Sequence, residues 1–344
     1  MKNVLLLILI GSLATGCSST SNVSDNVERQ AKSKYYTSAF PSQGTSQYLK
    51  RAERSILRIL STAHYQNYYF KNPRITLNDI KTNDLSKIAD SQVSTENSSA
   101  GTAIVLQQNK DRSLLITCSH VVTSPDTTIN YFKGDNIITN KYIKSIKIKQ
   151  QQSDIGFDGQ KVNQFNIIAS DRFVDLAMLT IQSEKAEFSK ASLPFDIGNS
   201  RNLQAGSFLY ILGFPKGYPM VTRGIVSKFT DTESHLLTSD AIFNPGISGG
   251  LVLASKDNYK TLDWVGMARS ASVSTERILV PRPDSSKSDT AIKPYTGTPY
   301  IVPKKRISYG ITQVVPSYFI AEFINDHQKE ITKQGFSYSV DVGL

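Results

Sequence analysis

From about residue 99 to residue 316 the chain is a succession of short apolar runs broken by polar or Gly/Pro turns. GTAIVLQQ, SLLITCS, KYIKSIKIK, FNIIA, LAMLTIQ, SFLYILGFP, RGIVSKFT, LLTSDAIF, GLVLAS, DWVGMAR and ISYGITQVV follow one another. Each is about the length of one strand and rich in β-branched or aromatic residues. Strands at this density, with no amphipathic helices between them, specify an all-β barrel or sandwich and exclude alternating βαβ units.

The flanks read differently. The closing segment VPSYFIAEFINDHQKEITKQG has helical spacing, with Phe319, Ile320, Phe323 and Ile324 on one stripe and Ser317 placed to cap it. Between Gln47 and Tyr65 the pattern fits a helix to about Arg54, followed by a strand that enters the main domain. Residues 71–99 and about 276–305 are polar or rich in Pro, Ser and Lys, and are expected as two long loops. Residues 1–16 combine Lys2, the apolar run Val4–Ile10 and small residues before Cys17. That is an export signal, too short to remain as a spanning helix. Residues 17–45, rich in Ser, Asn, Gln and Thr, are expected as a flexible tether, and residues 46–344 as one domain. No later run is long and apolar enough to span a bilayer.

Composition closes off several classes. With 39% hydrophobic residues the chain is not disordered, and two cysteines in 344 residues build neither a disulfide scaffold nor a thiolate-rich zinc site. The net charge of +10 is spread along the chain, so it gives solubility rather than a nucleic-acid footprint. No glycine fingerprint for a dinucleotide follows a strand.

Three distant segments carry the chemistry. SAGTAIVLQQNKDRSLLITCSHVV places His120 after an apolar strand, DRFVDLAMLTI opens one with Asp175, and SDAIFNPGISGGLVL holds Ser248 in a glycine-rich turn. A serine hydroxyl is a weak nucleophile at neutral pH, an imidazole can take its proton, and a carboxylate on the other ring nitrogen fixes the tautomer. Ser248, His120 and Asp175 fit those roles in that order.

The order and context resemble the trypsin-like serine peptidases, and more closely the protease domain of the HtrA/Deg branch, where the nucleophile turn sits in a similar DAxxNPGxSGG stretch. LPFDIGNSRNLQAGSFLYILGFPKG, VTRGIVSKF, DWVGMARS and ISYGITQVVPSYFIAEFI resemble the strands around that site and the final helix. The resemblance runs from about Ile56 to Phe323. It implies a two-barrel fold with a C-terminal helix, an oxyanion hole from the amides of Gly246 and Ser248, and no metal or cofactor. Losing one such donor typically costs ~3 kcal/mol in the transition state. It also implies a primary pocket drawn from Ile242, Phe243 and Met267. Ile242 stands where an acidic residue would select Lys or Arg, so apolar side chains are expected at the cleaved bond.

The sequence departs from that pattern in three respects. Ile247 replaces the usual Asn or Asp before the nucleophile, the stretch between His120 and Asp175 matches poorly, and no PDZ domain is recognised. Cys118 reads as a small buried hydrophobe and Trp264 as packing, while Arg269 reads equally as a solvated charge or a cleft residue. LATGC resembles a lipobox, which implies lipidation of Cys17 and a place in the cell envelope, at the outer membrane facing the periplasm. The expected partners are protein or peptide substrates and, through the anchor, a membrane; nucleic acid is not expected. The competing functions are a silent peptidase-like lipoprotein that binds proteins and, less well supported, an esterase without the lipase nucleophile elbow.

Overall fold

The computed structural model describes residues 34–41, 44–132, 140–159, 161–182, 188–229, 236–280 and 297–341. The expected signal and Cys17 lie outside the described residues. A short helix α1 (Ser46–Glu53) leads into β1 (Ile56–Tyr69), as the pattern around Arg54 anticipates. The first barrel continues through β2 (Ser91–Gln108), β3 (Arg112–Thr117), β4 (Thr127–Tyr131), β5 (Ile143–Asp158), β6 (Lys161–Asp171) and β7 (Leu176–Gln182). Its strands pair in the order β1-β2-β3-β7-β6-β5, β5 closes back onto β1, and β4 adds to the edge of β5. The second barrel is β8 (Phe208–Gly213), β9 (Met220–Phe229), β10 (Leu237–Ser239), β11 (Gly250–Ala254), β12 (Asp263–Val280) and β13 (Tyr300–Pro316). It closes in the order β10-β13-β12-β11-β8-β9. Helices α5 (Ser317–Asp326) and α6 (Gln328–Lys333) follow. The fold is therefore all-β, as the apolar runs anticipate, with the two six-stranded barrels and the C-terminal helix that the resemblance implies. Among the described residues no helix is long and apolar enough to cross a membrane.

The second barrel explains why its strands read as unbroken apolar runs. Successive side chains of a strand face opposite sides. Leu209 and Ile211 of β8, Val252 and Ala254 of β11, and Val265 and Ala268 of β12 fill its interior. Their neighbours Phe208, Tyr210, Leu212, Leu251, Leu253, Trp264 and Met267 face the other way, into a larger core shared with the first barrel and with Ile320, Phe323 and Ile324 of α5. Both faces are buried, so polar alternation is lost. Trp264 is packing, fully buried with its Nε1–H donated to the Gly266 carbonyl at 2.8 Å.

Four expectations change. Residues 71–99 are not a loop. A capping box at Thr76 and Asp79 starts α2 (Leu77–Thr82), α3 (Leu85–Ile88) follows, and β2 pairs with β1 from Ser91↔Tyr69 onward. Phe70, Ile143 and Ile146, with Ile75, Ile80, Leu85 and Ile88 against them, make a separate small core beneath that arm. The 276–305 region is a two-stranded ribbon at its described ends, paired from Ser272↔Ser308 out to Val280↔Tyr300. Residues 34–41 of the expected tether are packed on the second barrel: Tyr36 is buried with its hydroxyl on Asp263, and Thr37 bonds Ser255 and Phe208 through its backbone. Ser317 does not cap α5. Pro316 holds the cap position, while the Ser317 hydroxyl donates to the Gly198 carbonyl and accepts the Ser200 N–H, tying the helix to the loop before β8.

Leu115, at the centre of β3 and fully buried, tests the first barrel's packing. Leu115→Ala is expected to destabilise the fold by about 2–5 kcal/mol, read from urea unfolding followed by tryptophan fluorescence.

Candidate functional site

Each expected residue is held by a different local device. The buried strand β3 ends at Thr117, Cys118 stays extended, and the one-turn helix α4 (Ser119–Val122) carries His120. Between β6 and β7, Asp171 Oδ1 accepts the N–H groups of Phe173 (2.6 Å) and Val174 (3.2 Å), an Asx turn that reverses the chain. Asp175 completes the reversal at φ 62°, in the left-handed region that Asp tolerates better than most residues. The Asp175 carbonyl accepts the Ser119 N–H (3.1 Å), so the two segments are locked by backbone before any side chain meets.

Ser248 sits in two consecutive turns. The Ile247 N–H donates to Asn244 O (3.2 Å) and the Gly250 N–H to Ile247 O (2.8 Å). Gly246 (φ 102°) and Gly249 (φ 84°) occupy the third positions, where a type II turn needs positive φ. A Cβ at Gly246 would run into the Phe214 carbonyl, and one at Gly249 into the Thr102 carbonyl. The turns leave the amides of Gly246 and Ser248 without a protein acceptor among the described residues.

Thr102 of β2, fully buried, joins the barrels at this turn. Its N–H donates to Ser248 O (2.7 Å), and its hydroxyl donates to Gly246 O (2.9 Å) while accepting the Phe214 N–H (3.0 Å). Its carbonyl takes the Thr117 hydroxyl at 2.6 Å. Thr102 thus fixes the nucleophile turn against the strand that leads to His120. Sequence reasoning missed it; the only signal is its place beside Gly101 in the GTAIV run.

The structure brings the three expected residues together. His120 Nδ1 lies 2.8 Å from Asp175 Oδ2, Asp175 Oδ1 accepts the His120 backbone N–H (2.9 Å), and His120 Nε2 lies 3.1 Å from Ser248 Oγ. An ionised carboxylate only accepts, so Nδ1 carries the proton and a neutral ring turns its lone pair toward Ser248. Ser248 Oγ also lies 3.0 Å from the Arg269 carbonyl as a donor. Its single proton therefore points to His120 when the ring is neutral, and to Arg269 O when the ring is an imidazolium that donates from Nε2.

Arg269 is a cleft residue, the second of its two readings. In the pairing of β12 with β13, Ala268 opposes Val314 and Ser270 opposes Gln313, leaving Arg269 as the extra residue of a bulge. The bulge re-aims its side chain, and its Nε donates to Asp175 Oδ2 at 2.8 Å. Asp175 is only 4% exposed at its side chain. Burial works against its charge, but the hydrogen bonds and charge of His120, with the Arg269 bond added, outweigh burial and hold the carboxyl below its ordinary value.

The pocket residues are not brought together. Ile242 is 58% exposed, Phe243 packs inside the second barrel, and Met267 is buried in the core between barrels. The cavity that adjoins the site lies elsewhere, about 480 Å³ beside His120, Asp175 and Arg269. Cys118 is the buried hydrophobe expected, its thiol donating to Ala268 O at 3.4 Å. Cys118, His120 and Asp175 come within 4.8 Å of one another, but burial and the Asp175 charge push the thiol well up and keep it protonated. A metal would need the thiolate, so this donor set does not fit one.

Two closed barrels with an Asp–His–Ser chain across their junction form a trypsin-like two-barrel fold, and residues 101–259 match the family described as trypsin-like peptidase domain. The chain is 30% identical over 199 residues to "Serine protease Do-like HtrA" of Bacillus subtilis (strain 168), across 50% of this chain and 41% of that protein. It is 24% identical over 186 residues to the protein of the same name from Lactobacillus helveticus, across 51% and 38%. The match thus spans about two fifths of the length of these relatives. A solved HtrA-type protease with decapeptide is 18% identical, covering 83% of this chain and 67% of that one, at a TM-score of 0.44.

Two predictions follow from the geometry. Thr102→Val keeps the shape but strands the Gly246 carbonyl and the Phe214 N–H. It should cost about 1–3 kcal/mol for each group left unpaired, while Thr102→Ser stays near the parent, both read by urea unfolding. The second concerns acid. Because the Asp175 carboxyl is lowered in the folded chain, its ionised form stabilises the fold above the unfolded value, and that stabilisation drains away as pH falls through the lowered value. The unfolding free energy of the parent minus that of Asp175→Asn should be flat above about pH 5 and shrink steadily below about pH 4.

Proposed function

We propose that the chain is a serine endopeptidase that cuts peptide bonds through an acyl-enzyme on Ser248. The observation that carries this is His120, held between Asp175 at 2.8 Å and Ser248 at 3.1 Å. Ser248 Oγ attacks the scissile carbonyl carbon while His120 Nε2 takes the hydroxyl proton. The carbonyl oxygen becomes an oxyanion facing the amides of Gly246 and Ser248. The tetrahedral adduct collapses, the C–N bond breaks, and the leaving amine takes the proton from His120. Water then attacks the ester with His120 again as base, releasing the new carboxyl end and restoring Ser248. Asp175 stays ionised throughout and stabilises the imidazolium, and Arg269 positions Asp175.

The relatives' name, serine protease, supports the activity, and the export signal supports exported or misfolded proteins as substrates. The exposed Ile242 offers an apolar wall beside the turn rather than a pocket floor, which favours apolar side chains at the cleaved bond. We place the chain in the cell envelope, lipidated at Cys17 and anchored to the outer membrane facing the periplasm. Acylation alone gives weak binding, and more than one chain is needed for a stable anchor.

A second reading is a silent peptidase-like protein that binds peptides. One observation favours it: the Arg269 carbonyl competes for the Ser248 proton at 3.0 Å.

A fluorophosphonate probe decides between them. Under the first reading it labels the parent chain and not Ser248→Ala; under the second it labels neither. In the same cells, radiolabelled palmitate should enter the parent and be lost in Cys17→Ser.

A further inference from the structure

We infer that the cavity beside His120 is a subsite for an acidic side chain, so that the peptidase proposed above selects Asp or Glu within two residues of the cleaved bond. The inference rests on that reading of the site and adds the chemistry of its substrate. The cavity, about 480 Å³, has His120, Asp175, Arg172, Arg269, Ser270 and Gln313 in its lining. It shares His120 and Arg269 with the contacts of Ser248 Oγ. An extended chain advances about 3.3 Å per residue, so a side chain that enters here belongs to a residue close to the reacting carbonyl.

The charge balance of the cavity selects the ligand. Asp175 is its one acidic wall among the described residues, and that carboxylate already accepts the His120 ring N–H, the His120 backbone N–H and the Arg269 Nε–H. Asp126, next to the lining Pro125, is engaged by Lys149 at 2.7 Å and more weakly by the charge of Arg172. Against these stand two guanidinium groups. Asp175 takes one of the five N–H donors of Arg269, leaving its outer edge for a solute. Arg172 stands exposed in the turn before Asp175 and lines the same space. Arg forks match carboxylates in shape as well as charge. The Ser270 hydroxyl is fixed on Gln313 Oε1 at 2.9 Å, a polar part of the lining. A Lys or Arg side chain entering this space would meet two like charges, only one of them balanced by Asp175, and an apolar one would desolvate Arg172 without supplying it a partner.

The test uses the full chain and peptides that differ only by Asp, Asn or Lys at each of the two positions on either side of the bond cut. Fluorophosphonate labelling of Ser248 comes first and reports on the peptidase reading alone. Where the probe labels, kcat/KM for one Asp-bearing peptide should exceed that of its Asn partner about tenfold, a difference near 1.4 kcal/mol. The ratio should collapse toward unity in Arg172→Gln and turn in favour of Lys in Arg172→Glu. It should also shrink with added salt, as a partly exposed pair is screened. A labelled enzyme that treats Asp, Asn and Lys alike at every position overturns the inference while leaving the peptidase reading intact. If the probe fails to label, the peptidase reading falls, and fluorescence anisotropy of the same peptides on Ser248→Ala still decides the subsite. Tighter binding of the Asp peptide supports it, and equal binding overturns it.

Discussion

The arrangement depends on one carboxylate. Asp175 accepts hydrogen bonds from the His120 backbone, the His120 ring and the Arg269 guanidinium, and these partners come from the one-turn helix after β3 and from a strand of the other barrel. A buried ionised carboxylate is costly unless it is fully paired. Pairing it here fixes the tautomer and direction of the imidazole and draws β12 of the second barrel onto the first. Ser248 is then placed by an independent device, the two glycine turns held by Thr102. The side chains meet because the barrels meet, and the barrels are fastened at the points where the side chains meet.

Packing makes that junction rigid. The second barrel buries both faces of β8, β11 and β12, one inside itself and one against the first barrel and α5. A small displacement between barrels would open a well-packed core rather than slide over a wet surface, so the distances at the triad inherit the stiffness of the interface. Cys118 belongs to the same seam. Its unbridged thiol rests on the Ala268 carbonyl, beside the bulge that aims Arg269.

What could be read from the sequence follows from what forces a residue type. Apolar runs between turns dictated the strands, and His120, Asp175 and Ser248 stood out because their chemistry admits few substitutes. The arm over residues 71–99 was hidden because SQVSTENSSA is polar: β2 there is paired to β1 and largely exposed, so no apolar pattern marks it. The signal that existed was the Thr76–Asp79 capping box, which marks the start of α2. The ribbon of β12 and β13 was hidden because its apolar residues Leu279, Tyr300 and Ile301 flank a long Pro-, Ser- and Lys-rich stretch and stay exposed, and Tyr36 because one buried aromatic in a polar segment looks like any exposed one. Thr102 and Arg269 were illegible as roles. A threonine in a strand and an arginine after one are ordinary, and only the register and the bulge give them partners. The pocket expectation drew Phe243 and Met267 from a resemblance, which gives positions in the chain and not the face on which a side chain lies; both are buried here.

The central claim is that the Asp175 carboxylate holds the proton of His120 Nδ1 and so turns the basic nitrogen toward Ser248. Proton NMR of the whole chain in water tests it without any substrate. A proton shared between an imidazole and a buried carboxylate at 2.8 Å is strongly deshielded, and at low temperature its exchange is slow enough for it to be seen. The account predicts one resonance far downfield of the amide region in the parent, coupled to nitrogen in a labelled sample and absent from Asp175→Asn. A parent spectrum without that resonance, or one that persists unchanged in Asp175→Asn, would contradict it.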